Sequence, residues 1–328
     1  MTSPIILLVV YCLLVIVASM SGGWLPMLVH LTHKRMQLAV SVVAGFMLGI
    51  AMLHMLPHAL ESGGSPYRLL QWATAGLLAM FFIERFFCFH HHDVPEARVI
   101  EAAAHGDAVP EEDEPTEHAP GHEHVHNHGH DAQKHSAHRL TWSGAAMGLT
   151  LHSIIGGVAL AAAVAAETAH GGDSRLPGLG VFLVIFLHKP FDSMSLITLM
   201  AVGGWSAPAR HLVNALYATC TAVGVAIFYA GYGQFAGESS GVIGAALAFS
   251  AGTFLCISLS DLLPELQFHQ HDRGKLSTAL VAGLALAWGI HLVEGRTHDH
   301  DHAEHVPAVP AQVDDHAGHD PHDHDHDH

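Results

Sequence analysis

The sequence predicts an all-α integral membrane protein with eight transmembrane helices. Half of its 328 residues are hydrophobic and only 13% are charged, whereas about a quarter of the residues in a soluble domain are charged. The hydrophobic residues fall into runs of about 20, the length that an α-helix needs to cross a bilayer. The net charge of −17 is compatible with this fold class, because most carboxylates lie in two polar segments, Asp93 to Asp131 and Asp299 to Asp327.

Eight hydrophobic runs follow one another along the chain. The first run has no charged start and is longer than the hydrophobic part of a signal peptide, so we expect it to remain as the first span. With the amino terminus outside, nine lysine and arginine residues fall on the cytoplasmic side and three on the outer side. Both termini are therefore predicted to lie outside. The eight runs lie near residues 5–28, 38–60, 67–88, 141–166, 178–202, 211–233, 241–264 and 277–294.

One polar segment divides the membrane part in two, and a second polar segment follows it. Spans 1–3 occupy residues 1–88, a loop occupies 89–139, spans 4–8 occupy 140–295, and a tail occupies 296–328. The loop and the tail are rich in histidine and are predicted to be disordered without metal, because they bury little apolar surface. A tail of this kind also resembles an expression tag, but its interleaved aspartates and the similar internal loop favour a native segment. The loop histidines suited to capturing metal are His122, His124, His126, His128 and His130.

The chain contains a short internal repeat. Residues 44–58 align without gaps on residues 251–265, and the copies end in His54-x-x-Pro57-His58 and in the corresponding acidic motif of Asp261, Pro264 and Glu265. Because the copies fall in spans 2 and 7, they cross the membrane in opposite directions. This pattern predicts an inverted repeat, spans 1–3 against 6–8 around spans 4 and 5, as in many secondary transporters. Chance similarity between leucine-rich helices is the alternative.

Ionisable residues inside spans 4 and 5 indicate a metal site. His188 and Asp192 are four residues apart and share one helix face, with Lys189 between them. Charged groups within a membrane are costly and are seldom without function. His152 of span 4 lies next to Ser153 and two glycines that would let another helix approach. The candidate site is His152, His188 and Asp192, completed by water, Ser153 or a backbone carbonyl.

Each of these residues also has a structural interpretation. His152 could be a hydrogen-bonded core residue, and His188 with Asp192 could form a structural hydrogen bond. Asp192 could simply neutralise Lys189, which cannot bind metal while it is protonated. The polar pair of span 2, His54 with His58, is either a pathway site or the outer end of the span. The equivalent pair of span 7, Asp261 with Glu265, is either an exit relay or a solvated helix end.

These features together resemble the ZIP (ZRT/IRT-like) family of metal transporters. The resemblance rests on the eight spans, the outer termini, the histidine-rich loop, the motif that begins at His54, the stretch His152-Ser-Ile-Ile-Gly-Gly, the pair His188-Lys189 and the stretch from Ser250 to Glu265. It implies uptake of zinc or a related divalent ion into the cytoplasm through a site between spans 4 and 5, and often a dimer. It also implies two rigid parts, spans 1, 4, 5, 6 and spans 2, 3, 7, 8.

The resemblance also implies residue roles. His152, His188 and Asp192 fall on the family's metal-ligand positions. Ser153 and Gly156 stand where many members have ligands, and Lys189 stands where two-metal members carry an acid. The sequence therefore favours one metal ion at this site rather than two.

The predicted function is transport of a divalent metal ion into the cytoplasm by alternating access. Zinc is the expected substrate, and Fe²⁺, Mn²⁺, Cd²⁺ and Ni²⁺ are the other ions that imidazole and carboxylate suit. The alternatives are an intramembrane zinc-dependent hydrolase, which would use the same residues to activate water, and a protein for metal efflux or sensing. Membrane lipid and the metal ion are the expected partners, with a possible homodimer and no nucleic acid. The short amino terminus and the alanine-rich spans suggest a bacterial inner membrane.

Overall fold

The structure, a computed structural model, is helical throughout the residues that it describes. Seven of its helices are long and apolar enough to cross a membrane, and a shorter apolar helix, Gly274–Ile290, is the eighth. No strand occurs within the described ranges. The predicted all-α membrane fold is therefore confirmed. The described residues are 3–24, 33–62, 64–87, 129–169, 176–234, 239–268 and 273–298.

Eight spans can be assigned to these helices, two of them in more than one segment. Span 2 contains a π-helical turn, and span 6 has a break at Thr219. The helices are Pro4–Gly22 (span 1), His33–Ile50, Ala51–Met55 and Leu56–Glu61 (span 2), Pro66–Phe87 (span 3), Gly129–Ala169 (span 4), Leu179–Val202 (span 5), Ala207–Ala218 and Cys220–Gln234 (span 6), Ser239–Phe268 (span 7) and Arg273–His298 (span 8).

Several predicted boundaries differ from the observed ones. Span 1 ends at Gly22, before the predicted residue 28, because the chain turns at Gly23. Span 6 begins at Ala207 rather than at residue 211, and its buried Arg210 would not be placed in the membrane by hydropathy alone. The helix of span 4 begins at Gly129, inside the predicted loop, while its apolar part, Ser143–Ala169, agrees with the predicted span. His122, His124, His126 and His128 lie outside the described residues, and only the backbone of His130 is described.

Glycines allow the closest approaches between spans. Gly22 of span 1 lies against the backbone of Pro190 in span 5, and Gly157 of span 4 lies against the backbone of Thr221 in span 6. Similar contacts join span 2 to span 8 and span 3 to span 7. Without a Cβ, two backbones can come together and gain van der Waals contact, which is a main source of helix association in lipid.

The contacts of spans 2 and 8 correspond to those of spans 3 and 7. The gap-free alignment of the internal repeat pairs Gly45 with Gly252, and its continuation pairs Gly76 with Gly283. Gly45 lies against Leu280 and Gly252 against Ala73, while Gly76 lies against Phe249 and Gly283 against Val42. The same continuation pairs Leu280 with Ala73 and Phe249 with Val42. This correspondence supports the inverted repeat, which stays a prediction.

Candidate metal centre

The helix of span 5 carries a histidine, a lysine and an aspartate within about one turn of one another. The i, i+4 spacing places His188 Nε2 3.7 Å from Asp192 Oδ2. His188 and Lys189 are buried, and Asp192 is partly exposed. The Nδ1–H group of His188 donates a hydrogen bond to the Val184 carbonyl at 2.7 Å. This bond leaves Nε2 as the nitrogen that could bind a metal ion, because a histidine ligand is oriented by the partner of its other nitrogen.

Span 4 supplies the third possible ligand. His152 Nε2 lies 3.2 Å from His188 Nε2 and 3.8 Å from Asp192 Oδ2. Two ligand atoms bound to one tetrahedral zinc at about 2.0–2.2 Å lie about 3.3–3.6 Å apart. The observed spacings are within a few tenths of an ångström of that range. The three side chains can therefore hold one ion after small movements.

The contact between the two histidines determines which nitrogen of His152 carries a proton. Since His188 carries its proton on Nδ1, the contact between the two Nε2 atoms requires His152 to donate from Nε2. An ion bound between the rings would need that proton to leave Nε2. Binding of a metal ion between these rings would therefore require the release or relocation of the Nε2 proton of His152.

A chain of hydrogen bonds connects Lys189 to Asp192. The Lys189 ammonium donates to Ser153 Oγ, and Ser153 Oγ donates to the Tyr217 hydroxyl at 2.9 Å. Tyr217 in turn donates to Asp192 Oδ2 at 3.0 Å. The Lys189 nitrogen also lies 4.0 Å from the centre of the Tyr217 ring, a cation–π contact. Lys189 thus reaches the carboxylate through two hydroxyl groups, and the Oδ2 atom that accepts from Tyr217 is also the one that lies near both histidines.

Tyr217 was not predicted from the sequence, although the crossing that places it was. The prediction that the glycines of span 4 admit another helix is confirmed, because Gly157 and Gly224 bring spans 4 and 6 into backbone contact. One turn before that contact, Ser153 and Tyr217 face each other. A tyrosine in an apolar span gives a weak signal, since its hydroxyl finds a partner in most buried settings. Its role emerges only from the tertiary contact.

Comparison with known proteins agrees with these features. Residues 5–297 match the sequence model of the ZIP zinc transporter family. The chain belongs to the ZIP family. Among similar proteins, zinc transporter ZIP9 of Micropogonias undulatus is 26% identical over 317 residues, which cover 85% of this chain and 94% of the relative. Zinc transporter ZIP9-A of Xenopus laevis is 25% identical over 319 residues, with 85% and 93% covered.

Family membership confirms the resemblance and makes the chain a multi-pass membrane protein. The expectation of a bacterial inner membrane gains no support, since these relatives are vertebrate proteins. Alanine-rich spans reflect helix packing in lipid and carry little information about the organism.

The predicted pathway residues of span 2 in this ZIP protein belong to a different cluster from the centre. His54 and His58 of span 2 lie with Glu167 of span 4 in a separate cluster. Glu167 was not singled out from the sequence, because a glutamate near the end of a span is usually a solvated residue. Asp261 and Glu265 lie in the helix of span 7, but their side chains are outside the described part of the chain.

Tyr217 is expected to tune the centre without binding the ion. Tyr217→Phe removes the hydroxyl that donates to Asp192 and accepts from Ser153. We expect the zinc affinity of the centre to fall by about 10- to 100-fold, the usual cost of losing a group that orients a ligand. The KM for zinc uptake into vesicles that contain the purified variant measures the change. Tyr229→Phe, which changes a tyrosine of the same span whose ring makes edge-to-face contacts with Phe228 and Tyr232, is the control. Equal KM values in both variants would contradict this role.

Proposed function

We propose that this ZIP protein carries one zinc ion at a time across the membrane through the centre of His152, His188 and Asp192. One observation carries the proposal: three ligand atoms from spans 4 and 5 converge within 3.2–3.8 Å of one another inside membrane-spanning helices. Ionisable residues inside a membrane are costly, and those that occur usually bind an ion or carry a proton. The names of the relatives, zinc transporters, support transport and zinc as the substrate.

The ligand set suits an ion that must leave again. Three protein ligands leave one position of a tetrahedral zinc open to water, whereas structural zinc sites fill all four. Conduction requires binding that is weak enough to permit release. A hydrolase would use the same open position for water, but the zinc-transporter names of the relatives favour release of the ion over catalysis at this centre.

The positive charge of Lys189 favours binding of one metal ion at this centre rather than two. Its ammonium is buried and is held by Ser153 Oγ and the Tyr217 ring. A second cation close by would be repelled by this fixed positive charge, which the low dielectric of the interior makes strong. Lys189 therefore occupies the space that a second metal ion would need.

The packing of the spans supports alternating access. Backbone contacts at glycines join span 1 to 5 and span 4 to 6, and separately join span 2 to 8 and span 3 to 7. We call spans 1, 4, 5 and 6 the first group and spans 2, 3, 7 and 8 the second group. Among the described residues, each such contact lies within one group. The centre lies wholly in the first group, so it can move with its ligands as the groups shift against each other.

The proposed direction is into the cytoplasm. The ZIP resemblance implies this direction, and the excess of lysine and arginine supports a cytoplasmic position for the histidine-rich loop. The homodimer implied by the family resemblance, and transport of Fe²⁺, Mn²⁺, Cd²⁺ or Ni²⁺, remain predictions that this proposal does not require.

Vesicles containing the purified chain and a trapped zinc indicator test the function. Protease accessibility of the loop of residues 89–139 shows which fraction of the protein has the loop inside the vesicles and which has it outside. We expect zinc added outside to enter vesicles whose loop faces the lumen. Vesicles without protein are the control, and an absence of flux in either orientation would contradict transport.

A further inference from the structure

A second cluster of potential ligands lies between spans 2 and 4. His54 Nε2 and Glu167 Oε1 are 3.2 Å apart, and both side chains are buried. The ring of His58 lies 4.5 Å from that of His54, at 82°. One ligand atom from each of His54, His58 and Glu167 lies within 4.8 Å of the others. The cluster has the same donor chemistry as the centre, two imidazoles and one carboxylate.

The local sequence of span 2 builds this cluster. Pro57 has no N–H group, and the N–H of Leu56 bonds to the carbonyl of Ala51, five residues back. The result is a π-helical turn over Ala51–Met55 that carries His54. Such turns occur mostly as single interruptions of α-helices and are frequent at functional sites. The turn and the proline therefore fix His54 and His58 next to each other on the side of span 2 that faces span 4.

Two features of the cluster point to a bound cation. Glu167 is buried, but its Oε2 atom has no hydrogen-bond partner among the described residues. A buried carboxylate oxygen without a partner is costly, and a cation would satisfy it. His58 Nδ1 lies 3.0 Å from Glu61 Oε2, so Nδ1–H can donate to that carboxylate and leave Nε2 free to bind. A carboxylate that orients a histidine in this way is typical of metal sites.

We propose that His54, His58 and Glu167 form a second site for a divalent cation such as zinc, which captures the ion before it reaches the centre. The inference rests on the proposed function for its position on the transport path. Atoms of the His54 ring lie 3.6–3.7 Å from where a Cβ on Gly180 would be, so the ring packs on the first turn of span 5. Gly180 precedes His188 by eight residues, which places the second site about 12 Å along the helix, toward the predicted outer side.

The second site joins the two groups of spans. His54 and His58 belong to span 2 of the second group, whereas Glu167 belongs to span 4 of the first. Movement of the groups would separate these ligands. Such a site forms in one state and opens in the next, which suits an ion in transit and not a permanent structural ion.

Anomalous scattering from zinc-soaked crystals of the full chain tests the site directly. We expect one zinc peak between His54, His58 and Glu167 and another between the ligands of the centre. Occupancy of the centre alone would overturn this inference and leave the proposed function standing. Occupancy of the second site alone would support the inference and count against the centre, and empty ligands at both places would overturn both.

Transport kinetics give an independent test. Glu167→Gln keeps the size of the side chain and removes its charge, so we expect KM for zinc uptake to rise several-fold while kcat stays the same. His58→Ala, at a half-buried position that tolerates change better, should have the same effect. Glu84→Gln alters a half-buried carboxylate of span 3 that contacts Ser260 and should leave KM unchanged. Folding of each variant is checked by size-exclusion chromatography, and unchanged KM in both site variants overturns a role in capture.

Discussion

Replacing His188 with alanine, or Asp192 with asparagine, is expected to abolish zinc flux. Three ligand atoms lie within 3.2–3.8 Å of one another; His188→Ala removes one of them, and Asp192→Asn replaces the carboxylate by a neutral and weaker amide ligand. Loss of a direct ligand should exceed the cost of about 10- to 100-fold that follows loss of an outer-shell partner. Asp192→Asn also removes the negative charge of the ligand set and leaves the buried Lys189 ammonium uncompensated nearby. Initial rates of zinc entry into vesicles measure the effect.

A histidine outside the centre provides the matched control. His211 lies in the second turn of span 6, is partly exposed and belongs to neither cluster of potential ligands. His211→Ala should transport zinc at the rate of the unmodified chain. If His188→Ala and Asp192→Asn, both folded, retain that rate, the centre is not on the transport path and the proposed function must be assigned to other residues.

Local sequence signals predicted the part of the centre that a single helix determines. The i, i+4 spacing of His188 and Asp192 fixes their shared face whatever the tertiary packing, so their proximity followed from the sequence. The approach of another helix at Gly157 also followed, because small residues in membrane helices mark close crossings. Which residue the crossing would bring to the centre could not be predicted, since that depends on the rotation of span 6. Tyr217 was missed for this reason.

The second cluster could not be predicted for the same reason, because its ligands come from different spans. His54 and His58 were recognised as a polar pair, but one span cannot indicate which neighbour faces it. Glu167 lies far along the sequence from both, and its pairing with His54 depends on how the two groups pack. The boundary of span 6 was missed because hydropathy excludes Arg210, whereas the folded protein buries this residue in the first turns of the span.

Gly157→Ala is expected to destabilise the protein and to damage the centre at the same time. A Cβ at this position would meet the Thr221 carbonyl and the backbone of Gly224 at distances that real Cβ atoms do not adopt. Spans 4 and 6 would have to separate, and overpacking of this kind costs about 1–3 kcal/mol or more. The separation would also pull the Tyr217 hydroxyl from Ser153, one turn away. Thermal unfolding followed by size-exclusion chromatography should show a lower Tm, and zinc uptake should show a higher KM.

Gly231→Ala separates this packing effect from the general effect of replacing a helical glycine. Gly231 lies in the same span as Gly224, but a Cβ there would have no atom within 4 Å. Alanine favours the helix over glycine by about 1 kcal/mol, so this variant should match or exceed the Tm of the unmodified chain and keep its KM. A Gly157→Ala protein as stable as the Gly231→Ala protein would mean that spans 4 and 6 are not in backbone contact. The hydrogen bonds from Lys189 to Asp192 would then lose their structural basis, because they depend on that crossing.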